Sequence, residues 1–166
     1  MITTSVTEAA QCLKQGQVLA YPTEAVWGLG CDPYNEQAFL DILQIKQRPI
    51  EKGVILLAGQ IAQVEPLLEH LDPHIRQQVI ESWSDRSPSE RATTWLLPAN
   101  EHIPTWIKGN HPKVAVRVTT HPICGALQCL SRLYCLNQCQ PRWIATCPFT
   151  TRCQSLFCPT GELSEW

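Results

Sequence analysis

Apolar residues along this chain recur in turn at helical and at strand spacing, and this alternation predicts an α/β fold. Ser5 and Glu8 form the pattern of a helix start, apolar residues follow at helical spacing, and Gly16 marks the stop. Residues 17–21 are a short apolar run, typical of a strand, that Pro22 ends. The same two spacings predict helices over 36–47, 63–71, 73–83 and from about 122, and strands over 53–58, 94–97 and 113–119. Helices that alternate with strands indicate one sheet flanked by helices.

The strand predicted over 113–119 has two faces of different chemistry. Valines at 114, 116 and 118 share one face, whereas Ala115, Arg117 and Thr119 share the other. Arg117 therefore projects from a strand whose opposite face is apolar. A guanidinium in such a place suits the binding of a carboxylate or a phosphate group.

Three cations follow the helix predicted over 36–47. Lys46 lies at its end, Arg48 comes just after it, and Lys52 follows Pro49, which discourages the helix from continuing. Together they supply the planar fork and the point charges that a polyphosphate needs. Alternatively, Lys46 and Arg48 only offset the negative end of the helix dipole.

Two glycines two positions apart, Gly28 and Gly30, lie between the first predicted strand and that helix. Glycine has no Cβ, so it takes positive φ values and lets the backbone come close to a ligand. We therefore expect a glycine-rich bend here. The three cations, this bend and Arg117 would then line one hollow.

Four segments have the most distinctive amino-acid sequences in the chain. They are YPTEAVWGLGCD from Tyr21, the KQRP element, KGVILLA, and KVAVRVTTHPICGAL, which ends at Leu127. In this order and spacing they resemble the YrdC/TsaC/Sua5 family, the threonylcarbamoyl-AMP synthases. The resemblance implies a YrdC-like, twisted, open, mixed sheet flanked by helices over residues 1–127. It also implies that L-threonine, bicarbonate and ATP give threonylcarbamoyl-AMP and pyrophosphate, for the N6-threonylcarbamoyladenosine modification of tRNA.

The same resemblance divides the expected site residues between two substrates. Thr23 and Arg117 are expected to bind L-threonine, and Lys46, Arg48, Lys52 and Thr94 are expected to bind ATP, with Mg²⁺ sharing the phosphate charge. No protein nucleophile is required, because a carbamate formed from threonine attacks the α-phosphorus itself. Thr23 could instead be a turn residue that bonds its own backbone. Glu24 is either a base or the ion-pair partner of a nearby cation.

Two stretches depart from the family's pattern. Residues 83–94 are a polar segment where the family has a W-P-G-P turn, which leaves Thr94 without its usual context. After Leu127 the S-T-S-A-N element is missing, and residues 128–166 read as a Cys-rich C-terminal tail outside the YrdC-like domain. One hypothesis is that reading-frame changes produced both stretches in an otherwise ordinary member. An S-T-S-A-N element encoded in another frame would support it.

Charge and cysteine content limit the partners. With 13 basic and 15 acidic residues the net charge is −2, so a nucleic acid would need a local basic patch. A start without signal-peptide features and the lack of a long apolar run predict a cytoplasmic protein without membrane contact, whose thiols stay reduced. Seven of the nine cysteines lie at or after Cys124, but only Cys135 and Cys139 have zinc-like spacing, which favours free thiols over a zinc site.

The sequence leaves three other functions open. The chain could be a module that binds double-stranded RNA or tRNA without turnover, or a carbamoyl-transfer domain of the same fold that uses another carbamoyl adenylate. It could also be a catalytically damaged family member. Threonine-dependent release of pyrophosphate separates an enzyme from a binding module and from a damaged member, and other tRNA-modification proteins would act downstream of the synthase. Arg48→Ala is expected to abolish ATP binding while the fold is retained.

Overall fold

A mixed sheet of eight strands forms the centre of the computed structural model, which describes residues 2–23, 27–84, 93–130, 134–138 and 155–157. The strands are β1 (Ile2–Thr3), β2 (Leu19–Pro22), β3 (Trp27–Cys31), β4 (Ile55–Ala58), β5 (Thr94–Pro98), β6 (Lys113–Val118), β7 (Tyr134–Gln138) and β8 (Ser155–Phe157). Their order in the sheet is β1-β8-β2-β3-β7-β4-β6-β5. The consecutive strands β3 and β4 are thus separated in space by β7, which comes from the C-terminal part of the chain.

Parallel and antiparallel pairs both occur in this sheet. β2 and β3 are antiparallel, and β7 runs antiparallel to both β3 and β4. β4 and β6 are parallel, with Leu57 opposite Arg117, and β5 is antiparallel to β6. The predicted mixed sheet is therefore confirmed.

Helices connect these strands within the described ranges. They are α1 (Val6–Lys14), α2 (Glu36–Lys46), α3 (Glu65–Leu68), α4 (Pro73–Ser84), α5 (Thr105–Lys108) and α6 (Pro122–Leu130), with 3₁₀ turns at Ile50–Lys52 and Ile61–Gln63. The helices predicted from Ser5, over 36–47 and over 73–83 are confirmed. The helix predicted over 63–71 is shorter, because the Gln63 side chain accepts hydrogen bonds from the backbone of Gly59 and Gln60 and closes a 3₁₀ turn first. None of the described helices is long and apolar enough to cross a bilayer.

Both ends of α2 are closed by local hydrogen bonds. At its start the Asn35 side chain accepts from the backbone N–H of Ala38 at 3.1 Å. At its end Gln47 adopts a left-handed conformation (φ 48°, ψ 42°), and the N–H of Arg48 donates to the carbonyl of Leu43 at 3.0 Å. This Schellman arrangement turns the chain sharply, so that Arg48 leaves the helix axis.

The helices cover the two faces of the sheet to different extents. On the side we call the covered face, α2, α3, α4 and α5 pack on the strands around a large core, in which Leu56 is a central strand residue. Large members of this core include Phe39, Ile42, Leu68, Trp83 and Ile107. On the other side, the open face, α1 and α6 pack over Leu19, Tyr21 and Leu57. Successive strand residues point to opposite faces, so the register assigns Ala115 and Arg117 to the open face.

The predicted glycine-rich bend is a strand instead, and that prediction was wrong. Gly28 and Gly30 are buried residues of β3 opposite Tyr21 and Leu19 of β2. Neither is among the described glycines with positive φ, which are Gly16, Gly53 and Gly109. A spacing of two is also the period of a strand, so the two glycines simply share one face of the sheet.

Two tryptophans fix the ends of the stretch 83–94. The indole N–H of Trp83 donates to the carbonyl of Thr93 at 3.1 Å, and that of Trp95 donates to the hydroxyl of Ser82 at 2.8 Å. Residues 85–92, which include most of the off-pattern stretch, lie outside the described residues. Of the predicted tail, β7 and β8 pair within the same sheet, and the predicted domain boundary at 127 stays a prediction.

Candidate active site

The part of the open face that β4, β6 and β5 form is incompletely covered. Ile55 and Ala115 are half-buried there and Leu96 is 63% exposed, whereas Leu56 on the covered face is 1% exposed. The strand register puts Ile55, Ala115 and Leu96 in one row across the three strands. We call this the apolar row. Apolar side chains left open on adjacent strands are typical of a ligand-binding surface.

Arg117 and Thr94 lie side by side next to the apolar row. They are opposite each other on β6 and β5, and Nε of Arg117 donates to the hydroxyl oxygen of Thr94 at 2.8 Å. Both residues are half-buried. A hydroxyl partner orients the guanidinium without neutralising its charge. The structure thus joins two residues that the sequence predicted for different substrates.

The segment 46–53, here called the cationic loop, carries the three predicted phosphate-binding cations. Nε and Nη2 of Arg48 donate to the carbonyl of Gly53 at 3.3 and 3.1 Å, and Nη2 also reaches the carbonyl of Lys52 at 3.4 Å. Arg48 is half-buried, as is Lys46 in the last turn of α2, and Lys52 is exposed. The Arg48 guanidinium therefore also holds the backbone of its own loop, a task that the residue pattern did not reveal.

The cationic loop enters the sheet close to Arg117. Ile55 begins β4 opposite Ala115, and Arg117 lies opposite Leu57. Those two register positions are two residues apart, roughly 7 Å along the strand. The cationic loop therefore leads into the start of β4, and Arg117 lies beside the same short strand near its end. The predicted single hollow that contains all of them stays a prediction.

One further cation on this face was missed from the sequence. Lys113 is exposed at the start of β6, and strand alternation puts it on the same face as Ala115 and Arg117. In the register Lys113 lies opposite Pro98 of β5. The alternation of Lys113, Ala115 and Arg117 was visible in the sequence and could have identified it.

Thr23 lies at the end of β2, where Pro22 pairs with Trp27, and it is 8% exposed. Strands β3, β7 and β4 lie between β2 and β6. Thr23 and Arg117, both predicted to bind L-threonine, thus come from separate parts of the sheet. Residues 24–26 are outside the described ranges, and the roles suggested for Glu24 stay predictions.

Metal-binding side chains are not clustered in the described part of the chain. No group of three or more His, Cys, Asp or Glu there could hold a metal ion. Cys12, Cys31 and Cys124 are buried thiols. Residues 139–154 and 158–166, which contain the other half of the zinc-like pair and three more cysteines, lie outside the described ranges, so the prediction about zinc remains untested.

The sequence that forms this surface matches a known protein family. The family profile described as Sua5_yciO_yrdC, telomere recombination, matches residues 11–133, which is more than half of the chain and includes every predicted site residue. The chain belongs to the Sua5/YciO/YrdC family. The predicted family is therefore confirmed.

Curated relatives in this family are highly similar to the chain. An Acinetobacter baumannii protein named threonylcarbamoyl-AMP synthase is 75% identical over 127 residues, which cover 76% of this chain and 67% of that protein. A Psychrobacter arcticus protein of the same name is 52% identical over 130 residues, which cover 74% of this chain and 61% of that protein. The chain thus spans about two thirds of the length of these relatives. Both relatives carry the name of the activity that the sequence predicted for this chain.

A solved structure confirms the predicted fold. The crystal structure of P. abyssi Sua5 complexed with L-threonine matches with a TM-score of 0.76 and 25% sequence identity. The match covers 92% of this chain and 46% of the P. abyssi chain. The chain therefore matches about half the length of that longer Sua5 protein.

Proposed function

We propose that this chain is a threonylcarbamoyl-AMP synthase, which forms threonylcarbamoyl-AMP and pyrophosphate from L-threonine, bicarbonate and ATP. The observation that carries the proposal is the 75% identity with the A. baumannii protein of that name. The product would serve the threonylcarbamoyl modification of tRNA by downstream proteins, in the cytoplasm. Support from the structure comes from the Arg117–Thr94 pair and the cationic loop, both within the matched region.

The proposed reaction requires charge neutralisation and alignment more than a protein nucleophile. The threonine amine and bicarbonate combine to give a carbamate and water. A carbamate oxygen then attacks the α-phosphorus of ATP, and the bond from that phosphorus to the bridging oxygen breaks, so that pyrophosphate leaves with the electron pair. Negative charge develops on the phosphate oxygens, and fixed cations lower the free energy of that transition state.

The described residues divide these tasks among themselves. Lys46, Arg48 and Lys52 would bind the triphosphate from the cationic loop. Arg117 would bind the carboxylate of L-threonine, with its guanidinium oriented by Thr94. The apolar row beside Arg117 would keep water away from the labile carbamate, since apolar surface in contact with a ligand leaves no room for solvent.

Magnesium would enter this site bound to ATP. The candidate residues are Lys, Arg and Thr, and no cluster of three potential metal ligands occurs among the described side chains. Mg²⁺ commonly keeps several waters and binds through substrate phosphates. The donor set therefore fits an ion that the triphosphate carries. Its chemistry would be to neutralise phosphate charge beside the cationic loop.

The decisive test is pyrophosphate release by the purified chain. We expect release from MgATP that requires both L-threonine and bicarbonate, and that falls to background when either is left out. L-serine, which lacks the methyl group of threonine, serves as the matched substrate control. ATP binding without threonine-dependent release would contradict the proposed activity and would favour a catalytically damaged member.

Binding of tRNA by this chain is the second candidate function. The exposed cations Lys52 and Lys113 come shortly before β4 and at the start of β6, which are parallel neighbours in the sheet. The net charge of −2 makes such a local group necessary. Filter binding with tRNA at increasing salt would test it. Salt-sensitive binding together with no threonine-dependent turnover would favour a binding module over the synthase.

A further inference from the structure

The cationic loop is fastened to a second backbone segment, the turn 107–110 after α5. The N–H of Val54 donates to the carbonyl of Ile107 at 2.9 Å, and the N–H of Asn110 donates to the carbonyl of Glu51 at 3.3 Å. From within the loop, Arg48 donates to the carbonyl of Gly53. The cationic loop is thus held by the turn on one side and by its own arginine on the other.

Two glycines make this contact between backbones possible. Gly53 (φ 58°, ψ 179°) and Gly109 (φ 60°, ψ −139°) both occupy conformations that side chains disfavour. A Cβ on Gly109 would overlap the carbonyl oxygen of Glu51 and lie 2.8 Å from that of Ile50. A Cβ on Gly53 would lie 2.9 Å from the carbonyl oxygen of Ile107. A side chain at either position would therefore push the loop and the turn apart.

The turn itself is fixed independently of the loop. Ile107 is fully buried in the core of the covered face. The indole N–H of Trp106 donates to the carbonyl of Pro33 at 3.1 Å, just before α2 begins. Because the cationic loop follows the other end of α2, the α5 region contacts the chain on both sides of that helix. Because the turn 107–110 is fixed in this way, its contacts with the cationic loop can determine the position of that loop.

We propose that Gly109 is a positioning residue for the cationic loop. Its lack of a side chain sets how closely the loop packs on the turn 107–110, and hence where Arg48 and Lys52 lie relative to β4. The effect on nucleotide binding rests on the proposed function, but the backbone contact does not. Charge-assisted hydrogen bonds form over donor–acceptor distances of about 2.7–2.9 Å, so a displacement of the order of 1 Å at a charged binding group breaks them.

The test is MgATP binding to the purified Gly109→Ala variant, measured by calorimetry. We expect about tenfold weaker binding or more, because that is the cost of losing one hydrogen bond to a charged group. Gly16→Ala is the control for a strained backbone position with a clash of its own. Gly16 also has a positive φ (76°), and its added Cβ would meet the side-chain amide of Asn35, at the end of α2 opposite the cationic loop. Gly125→Ala is the control for the added methyl group, because nothing lies within 4 Å of its ideal Cβ. Both controls are expected to bind MgATP as the wild type does.

Hydrogen exchange separates a failure of this inference from a failure of the proposed function. In Gly109→Ala the amides of Val54 and Asn110 should exchange faster, while in Gly16→Ala they should stay protected. Wild-type protection of both amides in Gly109→Ala would overturn the inference, as would unchanged MgATP affinity. If the wild type binds no MgATP, the proposed function fails and the exchange rates alone decide the positioning role.

A milder variant covers the case in which Gly109→Ala does not fold. Trp106→Phe keeps an aromatic ring but removes the hydrogen bond to Pro33. It should weaken MgATP binding severalfold and increase exchange at Val54. Wild-type values for both measurements would overturn the inference.

Discussion

The covered face and the open face belong to the same strands but have different roles. On the covered face, Leu56, Val114 and Val116 are at most 1% exposed beneath four helices. On the open face, Ile55, Ala115 and Arg117 of the same two strands are only partly covered, although Leu57 is buried there under α1 and α6. Burying the remaining apolar row would stabilise the fold, at about 25 cal/mol per Å² of apolar surface. Surface left open beside a positioned arginine therefore indicates a binding role.

The largest expected effect is a loss of stability after a substitution on the covered face. Leu56→Ala should lower the free energy of unfolding by about 2–5 kcal/mol, because it leaves a cavity in a packed core. Leu96→Ala removes the same atoms from a side chain that is 63% exposed, and it should change that free energy by no more than about 0.5 kcal/mol. Urea denaturation measures both. Equal losses would show that the open face is packed as tightly as the covered one.

The next largest effect is a loss of turnover after a substitution on the open face. Arg117→Ala should reduce threonine-dependent pyrophosphate release by about 100-fold or more, as expected when a group that stabilises charge is removed. Arg76→Ala is the control, since Arg76 forms a surface ion pair with Glu65 on the opposite side of the molecule's core. A similar loss in both variants, or none in Arg117→Ala, would contradict the assigned role.

A smaller effect should follow from loosening Arg117 without removing it. Thr94→Val keeps the shape of the side chain but removes the acceptor for Nε of Arg117. Loss of one hydrogen bond costs about 0.5–1.5 kcal/mol, so the KM for L-threonine should rise by about two- to tenfold with the KM for ATP unchanged. Thr7→Val, at an exposed position of α1, is the control. A rise in the KM for ATP alone would instead support the original assignment of Thr94 to ATP.

The smallest expected effect concerns Lys113. Because this side chain is exposed, Lys113→Ala should weaken MgATP binding only about two- to threefold, and less at high salt. Lys14→Ala, an exposed lysine in the last turn of α1, is the matched control. If the two variants bind alike at low salt, Lys113 lies outside the site.

Local patterns along the chain were sufficient for most helices and for the alternation of β6. Ser5, Asn35 and Pro49 indicated helix ends correctly, because capping depends on residues within a few positions of each other. The valines of β6 indicated its buried face for a similar reason, since side-chain direction alternates along any strand. Family resemblance then identified the candidate site residues, including Arg117.

The sequence failed where an interaction joins distant segments. The spacing of Gly28 and Gly30 is compatible with both a bend and a strand, and only pairing with β2 decides between them. The insertion of β7 between β3 and β4 is likewise a matter of long-range pairing.

By itself, then, the sequence determined the type of most elements, the family and most of the cations proposed for the site. The tertiary structure alone decided how those cations are held: Arg117 by the hydroxyl of Thr94, and Arg48 with the cationic loop by the carbonyl of Gly53 and the turn at Gly109. The reason is that capping and periodicity act between near neighbours in the chain. Hydrogen bonds and backbone contacts between separate segments depend on how the sheet is assembled.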